Sequence, residues 1–162
     1  AFQKLKPSRN TTFEDDYLTI IAGHLNQIIN EISNQIDIVN PNSKKTLLTN
    51  IPTRNLRPLG TIMGKLREIR NDITVVESLL LKTEDVSFGH QVNRELTLDK
   101  KREIVQIDNG KLEEINLNDF AQIIFIDDIY DTGESFQVAK DKLVELGIGE
   151  DSISLISILR IN

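Results

Sequence analysis

Apolar residues recur along the chain with a helical period in three places. Between residues 17 and 36 they fall three and four positions apart, which predicts one face of a long amphipathic helix. The same spacing predicts a second helix across residues 59–69 and a third from residue 136 until Gly147 ends it. The apolar face of the long N-terminal helix needs a partner, which is either the core of this chain or another chain.

Continuous apolar runs predict buried strands, and these runs alternate with the helices. The predicted strands are residues 46–51, 73–81, 103–107, 122–127 and 152–161. Residues 108–111 predict a turn, and residues 82–101 lack a period and predict an exposed excursion. Since no hairpin signal separates the last two strands, we predict an α/β fold with a mainly parallel sheet flanked by helices.

Composition indicates a globular chain without a second domain. Of its 162 residues, 39% are hydrophobic and 27% are charged, which suits a domain with a substantial core. Residues 1–12 are polar and predict a tail or loop, and residues 13–162 predict a single domain. The N-terminal helix offers a contact surface for a homo-oligomer or for the rest of a larger parent protein.

Residue content narrows the chemistry and the location that we expect. The chain has no cysteine and two histidines, which excludes disulfides and thiolate zinc and leaves carboxylates as metal ligands, a set that favours Mg²⁺. No apolar run approaches the roughly 20 residues that a membrane span needs, and no signal peptide is recognisable, so we expect a cytoplasmic protein. A net charge of −6 argues against general nucleic-acid binding. Basic residues do cluster, either as a solvated helix face or as an anion-facing patch, in Arg54, Arg57, Lys65, Arg67 and Arg70.

The candidate chemistry is concentrated in "IIFIDDIYDTGESF", residues 123–136. Asp127 and Asp128 lie at the carboxyl end of the predicted strand, and residues 131–135 form a tight turn containing glycine and hydroxyl side chains. Ligands bind at this edge of parallel sheets, and amides at the start of the next helix can converge on an anion. Carboxylates beside a phosphate site fit a sugar phosphate, because they can accept hydrogen bonds from the hydroxyl groups of the sugar. The alternative is that these acids cap the next helix, which accounts for one or two of the three.

This stretch resembles the phosphoribosyl pyrophosphate (PRPP) loop of type I phosphoribosyltransferases, in which an apolar strand and two acids precede Thr-Gly-x-Ser or Thr-Gly-x-Thr. The resemblance implies a type I phosphoribosyltransferase-like domain that transfers phosphoribosyl from PRPP to a nitrogen acceptor, such as a purine-type base, with Mg²⁺ and release of pyrophosphate. By position, Asp127 and Asp128 would bind the ribose and hold Mg²⁺ through water. The 5′-phosphate would be bound by Asp131, Thr132, Gly133, Glu134 and Ser135. Asp131 also matches the acid proposed to accept the proton of the attacking base.

The resemblance extends more weakly to other segments. From residue 59 to residue 161, the order of segments resembles the ComF-like branch of the family. Arg54 lies where the pyrophosphate loop is expected, and Arg102 lies in the segment that corresponds to the mobile catalytic loop. Cations at these two places would neutralise the leaving pyrophosphate. The alternatives are a plain strand-helix turn at Arg54 and a solvated charged loop around Arg102.

Two other functions compete with a transferase. No aromatic residue is available near the C-terminus to stack on a base, so a catalytically inactive sensor of PRPP or of a nucleotide monophosphate, within a larger protein, is the second hypothesis. A strand that ends in Asp-Asp also opens receiver-type phosphoacceptor domains. Too few residues follow Asp128 to complete that site, so the third hypothesis is the weakest.

Overall fold

The computed structural model describes residues 11–39, 45–53, 56–84, 96–130 and 132–160. The helices are α1 (Thr11–Val39), α2 (Arg57–Ile69), α3 (Leu98–Ile104), α4 (Asn109–Glu114) and α5 (Glu134–Glu145). The strands are β1 (Lys45–Asn50), β2 (Ile73–Val75), β3 (Leu80–Lys82), β4 (Val105–Ile107), β5 (Phe120–Tyr130) and β6 (Ile153–Arg160). Residues 1–10 of the predicted tail lie outside the described residues, and residues 11 and 12 belong to α1.

The main sheet has four parallel strands in the order β2-β1-β5-β6. From β1 the chain moves to one side to form β2, whereas from β5 it moves to the other side to form β6. The strand order therefore reverses between β1 and β5. A second, two-stranded sheet pairs β3 with β4 in antiparallel fashion.

Both faces of the main sheet are buried because neighbouring residues of its central strand point to opposite sides. Ile124 and Ile126 of β5 pack with α1 and α2, and Ile123 and Phe125 pack with α5 on the other face. This two-sided burial accounts for the continuous apolar run that predicted the strand. The prediction of a mainly parallel sheet flanked by helices, with a long N-terminal helix, is confirmed.

Helix α1 places its apolar stripe against the core of its own chain. Buried positions recur along it at Leu18, Ala22, Leu25 and Ile29, with at most 4% of each residue exposed. The outer side leaves Ile20 and Ile28 exposed by 57% and 40%. None of the helices within the described ranges has the length and apolar character needed to cross a bilayer.

Arg70 fastens α1 to the start of β2. The residue is buried, and its guanidinium donates to both carboxylate oxygens of Asp72, at 2.8 and 2.6 Å. It also donates to the side-chain oxygens of Asn30, at 2.5 Å, and Asn26, at 3.4 Å, both on α1. The hydrogen bonds from Arg70 lower the pKa of Asp72. Arg70 therefore belongs neither to a solvated helix face nor to an anion-facing patch.

We expect Arg70→Met to lower the free energy of unfolding by about 2 kcal/mol, since it removes a buried guanidinium together with its hydrogen bonds to Asp72, Asn26 and Asn30. Urea unfolding followed by circular dichroism measures this loss. Arg67→Met is the matched control, because the Arg67 side chain is 55% exposed and its contacts are long: an ion pair of 3.8 Å to Glu77 and a hydrogen bond of 3.3 Å to the Val75 carbonyl. Its expected change is below about 0.5 kcal/mol. Equal losses in the two variants would contradict the role assigned to Arg70.

The prediction of one strand across residues 73–81 is wrong. Two strands, β2 and β3, lie in different sheets, and a turn separates them at residues 76–79. At this turn the side-chain oxygen of Asn50, on β1, accepts a hydrogen bond of 2.7 Å from the Ser78 amide, and Ser78 has a φ of +53°. The apolar run continues through the turn because Leu79 and Leu80 are buried in the second sheet's core.

Two further predictions fail between residues 96 and 114. Part of the expected excursion forms α3, whose first turn is capped by the Thr97 hydroxyl, and β4 is shorter than the predicted strand 103–107. The turn predicted at 108–111 is instead the start of α4, where the Asp108 carboxylate accepts from the Lys111 amide. In both places the side-chain cap, Thr97 or Asp108, stabilises a short helix that has no visible apolar period.

Candidate functional site

The candidate site lies at the carboxyl ends of β1 and β5, where the strand order reverses. The Ile51 amide, just after β1, donates to the Ile126 carbonyl at 2.9 Å, so the loop that follows β1 begins beside Asp127. In open parallel sheets, ligands bind in the crevice at such a reversal. The strand order and the acidic sequence motif therefore indicate the same edge of the sheet, at the carboxyl ends of β1 and β5.

Asp127 and Asp128 are adjacent within the last part of β5, which continues to Tyr130 and is longer than predicted. Both residues are partly buried, and Asp128 Oδ1 accepts from the Ile129 amide at 2.9 Å. The pKa of the Asp127 carboxyl rises from 3.8 to about 7, first through burial and then through the hydrogen bond and charge of Asp128. A second negative charge is thus unfavourable here until a ligand supplies hydroxyl donors or a cation.

The turn after β5 leads directly into α5. Gly133 is the helix N-cap and has a φ of +81°, a conformation that glycine adopts without strain. The Thr132 hydroxyl lies 3.4 Å from the Glu134 amide, and the Gly133 carbonyl accepts from the Gln137 amide at 2.9 Å. Because the first N–H groups of a helix lack acceptors inside the helix, this end of α5 is suited to an anion.

Aromatic contacts fix the turn on both sides. The ring of Phe136, in the first turn of α5, meets Phe125 of β5 edge to face with centroids 6.2 Å apart. Tyr130 lies so close to Gly133 that a Cβ atom there would be 2.6 Å from the tyrosine hydroxyl. The Arg160 guanidinium, on β6, lies 5.6 Å from the centroid of the Tyr130 ring. No role was predicted for Tyr130 from the sequence, although it lies between Asp128 and Gly133 in the motif.

Two ion pairs join α3 to α5. Lys101 is buried, and its ammonium pairs with Glu134, the first residue of α5. Arg102 donates from Nε and Nη2 to Asp141 Oδ2, at 2.9 and 2.6 Å, and from Nη1 to Asp99, at 3.1 Å. The guanidinium that was predicted to face pyrophosphate is therefore bound to Asp141 on α5 and to Asp99 on its own helix. Lys101 has no spacing signal in the sequence, because its position depends on α3.

A cavity of about 380 Å³ adjoins the end of β1. It is lined by Thr53, Ser78 and residues 80–84. Its walls therefore come from the loop after β1, the turn held by Asn50, and β3 with the residues that follow it. Two predicted site residues, Arg54 and Asp131, lie outside the described residues.

Comparisons with known proteins show a similarity to solved structures but none to family models or curated sequences. No protein-family model matches the chain, and no curated protein sequence matches it. Among solved structures, a crystal structure of a hypoxanthine phosphoribosyltransferase from Staphylococcus aureus is similar, with a TM-score of 0.47 and 13% sequence identity. The similarity covers 90% of this chain, and it spans 64% of the length of that chain.

Proposed function

We propose that this chain is a PRPP-binding, type I phosphoribosyltransferase-like domain that uses Mg²⁺ to transfer phosphoribosyl to a nitrogen acceptor. One observation carries the proposal: Asp127, Asp128 and the turn at Gly133 lie together where the strand order of the sheet reverses. A sugar phosphate matches this arrangement, since it offers hydroxyl donors at one end and an anion at the other. The narrower resemblance to the ComF-like branch stays a prediction.

In this proposal Asp127 and Asp128 accept hydrogen bonds from the ribose hydroxyls. The raised pKa of Asp127 supports it, because burial next to Asp128 leaves the carboxyl in need of a donor or a positive charge. The pair also fits Mg²⁺, which commonly binds one or two carboxylates together with waters and substrate phosphate oxygens. When bound, the ion would supply positive charge to the pyrophosphate.

The turn and the start of α5 would bind the 5′-phosphate. Thr132 and Ser135 offer hydroxyl donors, and Gly133 lets the backbone approach the phosphate closely. Glu134 would contribute its backbone amide, since its carboxylate pairs with Lys101. The opposed needs of the ligand, donors for phosphate and acceptors for ribose, are thus met by successive parts of one loop.

In the transfer, the bond from ribose C1 to pyrophosphate breaks as the bond from C1 to the acceptor nitrogen forms. We propose Asp131 as the group that accepts the proton lost by that nitrogen. Arg54 and Arg102 are the proposed cations for the departing pyrophosphate. For Arg102 this requires that its guanidinium exchange Asp99 and Asp141 for phosphate oxygens.

Isothermal titration with PRPP and Mg²⁺, beside a pyrophosphate-release assay over a panel of purine and pyrimidine bases, tests the proposal. We expect saturable PRPP binding that weakens when Mg²⁺ is removed, and pyrophosphate release with at least one base. Absence of binding for both PRPP and ribose 5-phosphate would overturn the proposed function.

The second candidate function is a sensor that binds PRPP or a nucleotide monophosphate without turning it over. The pairing of Lys101 and Arg102 with carboxylates of α5 favours it, because these cations are then unavailable to a leaving group. Saturable PRPP binding without pyrophosphate release on any base of the panel would support the sensor over the transferase.

A further inference from the structure

Lys101 is a buried cation that pairs with Glu134, a partly exposed residue of the proposed phosphate turn. Its side chain is 3% exposed, whereas that of its partner Glu134 is 41% exposed. Lysine is seldom buried this completely without a partner, and Glu134 supplies a carboxylate for its ammonium. The pair therefore places a carboxylate, that of Glu134, at the end of α5 where the phosphate is proposed to bind.

Glu134 has opposite effects on the helix and on a bound phosphate. A carboxylate in the first turn of α5 stabilises the helix through the positive end of its dipole. The same carboxylate repels a phosphomonoester dianion a few ångströms away, and this repulsion is strong where solvent screening is incomplete. Asp127 and Asp128 on β5 add to the negative potential of the site. A phosphate can therefore bind well only if a cation offsets Glu134.

Other described cations near this end of α5 are engaged elsewhere. Arg102 binds Asp141, two helical turns further along α5, and Arg160 lies over the Tyr130 ring. The bonds of Arg102 nevertheless matter, because they hold α3 along α5 and keep Lys101 beside Glu134. The ammonium of Lys101 is the cation that contacts a residue of the turn itself.

We propose that Lys101 is the charge-balancing residue of the phosphate turn. It neutralises Glu134, so that the turn presents its amides and hydroxyls, and not a net negative charge, to a phosphomonoester dianion. Lys101 acts through Glu134 and is therefore a positioning residue, not a catalytic one. This inference rests on the proposed function and adds to it the residue that makes the acidic turn able to bind a phosphate.

A double-mutant cycle tests this inference, with ribose 5-phosphate as the titrant in calorimetry. Lys101→Met preserves the length of the buried stem and removes the charge, and we expect the dissociation constant to rise about 30-fold. Glu134→Gln in the same background removes the uncompensated carboxylate, and we expect affinity within about threefold of wild type. Glu134→Gln alone keeps a side-chain oxygen that can accept a hydrogen bond from the Lys101 ammonium, and it should tighten binding about fivefold.

Lys140→Met is the matched control for the lost lysine charge. Lys140 is also paired with a glutamate, at 2.7 Å to Glu150, and it lies on α5 away from the turn. The dissociation constant of the Lys140→Met variant for ribose 5-phosphate should stay within about twofold of the wild-type value. Thermal unfolding of every variant separates an effect on the fold from an effect on the ligand.

The outcomes are distinct. Charge balancing would be overturned if the double variant bound ribose 5-phosphate as weakly as Lys101→Met does. It would also be overturned if Glu134→Gln alone bound this ligand more weakly than the wild-type protein. A Lys101→Met protein that loses stability but keeps the wild-type dissociation constant would likewise overturn it, because the ion pair would then be structural only. Failure of the wild-type protein to bind ribose 5-phosphate and PRPP would instead reject the proposed function, and with it the inference.

Discussion

Replacement of Asp127 by asparagine is expected to stabilise the ligand-free protein and to lower its affinity for PRPP about 100-fold. Asparagine resembles the protonated carboxyl in shape, so it removes the unfavourable charge beside Asp128 without leaving a cavity. The same change halves the acceptor capacity offered to the ribose hydroxyls and weakens any hold on Mg²⁺. Opposite signs for stability and affinity are typical of a residue retained for binding.

The stability gain depends on pH in a direction set by the raised pKa. Because the pKa of Asp127 is about 7 in the folded state and 3.8 is its ordinary value, the folded state binds the extra proton between these values. Wild-type stability therefore falls as pH rises from about 4 through about 7, and the asparagine variant lacks this fall. We expect the variant to be more stable by about 4 kcal/mol at pH 8.5 and by about 1.5 kcal/mol at pH 5.

Urea unfolding at the two pH values and titration with PRPP measure these two effects. Asp151→Asn is the control, because it makes the same chemical change at an exposed residue far along the chain from the site. Its stability should change by less than about 0.5 kcal/mol at either pH. An Asp127→Asn protein that is less stable than wild type at pH 8.5 would show that the carboxylate is a favourable part of the folded state.

Gly133→Ala is expected to lower the free energy of unfolding by about 3 kcal/mol and the affinity for ribose 5-phosphate about 100-fold. Two physical effects add. Alanine is strained at a φ of +81°, and its Cβ would lie 2.6 Å from the hydroxyl and 3.0 Å from Cζ of Tyr130. Relief of this clash must move Tyr130 or the turn, and either movement displaces the amides proposed to bind the phosphate.

Gly147→Ala separates the two effects. Gly147 has a similar φ of +87°, and a Cβ there would meet nothing within 4 Å. This variant therefore measures the backbone strain alone, about 1 kcal/mol, and should leave ligand affinity unchanged. Urea unfolding and calorimetry on both variants give the comparison. Equal stability losses at the two glycines would mean that Tyr130 does not constrain the turn.

Sequence reasoning succeeded for elements whose pattern is long and of one period. Helix α5 and strand β6 were predicted within two residues of their observed bounds. Helix α1 was predicted at residues 17–36 and extends six residues before and three residues after that range. Sequence reasoning failed between residues 73 and 114, where elements of three to seven residues follow one another. There one continuous apolar run covers two strands that lie in different sheets. The break at Ser78 depends on a hydrogen bond that its amide donates to Asn50, which is distant in sequence.

For the candidate site, the sequence identified the residues of one loop but not their neighbours. Asp127, Asp128 and the turn before α5 are contiguous, so their chemistry and spacing are visible in the printed chain. The pairing of Lys101 with Glu134 and the contact of Arg160 with Tyr130 join residues 33 and 30 positions apart, as their numbers show. Arg102 illustrates the limit: the resemblance places it in a segment that corresponds to a catalytic loop, but no local pattern indicates its bond to Asp141, 39 positions along the chain.

The sequence by itself determined the class of fold and the acidic loop, because apolar period, glycine placement and adjacent carboxylates are local properties of the chain. Only the tertiary structure decided that the strand order reverses beside Asp127, that Asp127 is buried enough to raise its pKa, and that Lys101 meets Glu134. Burial and charge pairing depend on which distant segments pack together. These free energies are set by the surroundings of a residue, and no local pattern encodes them.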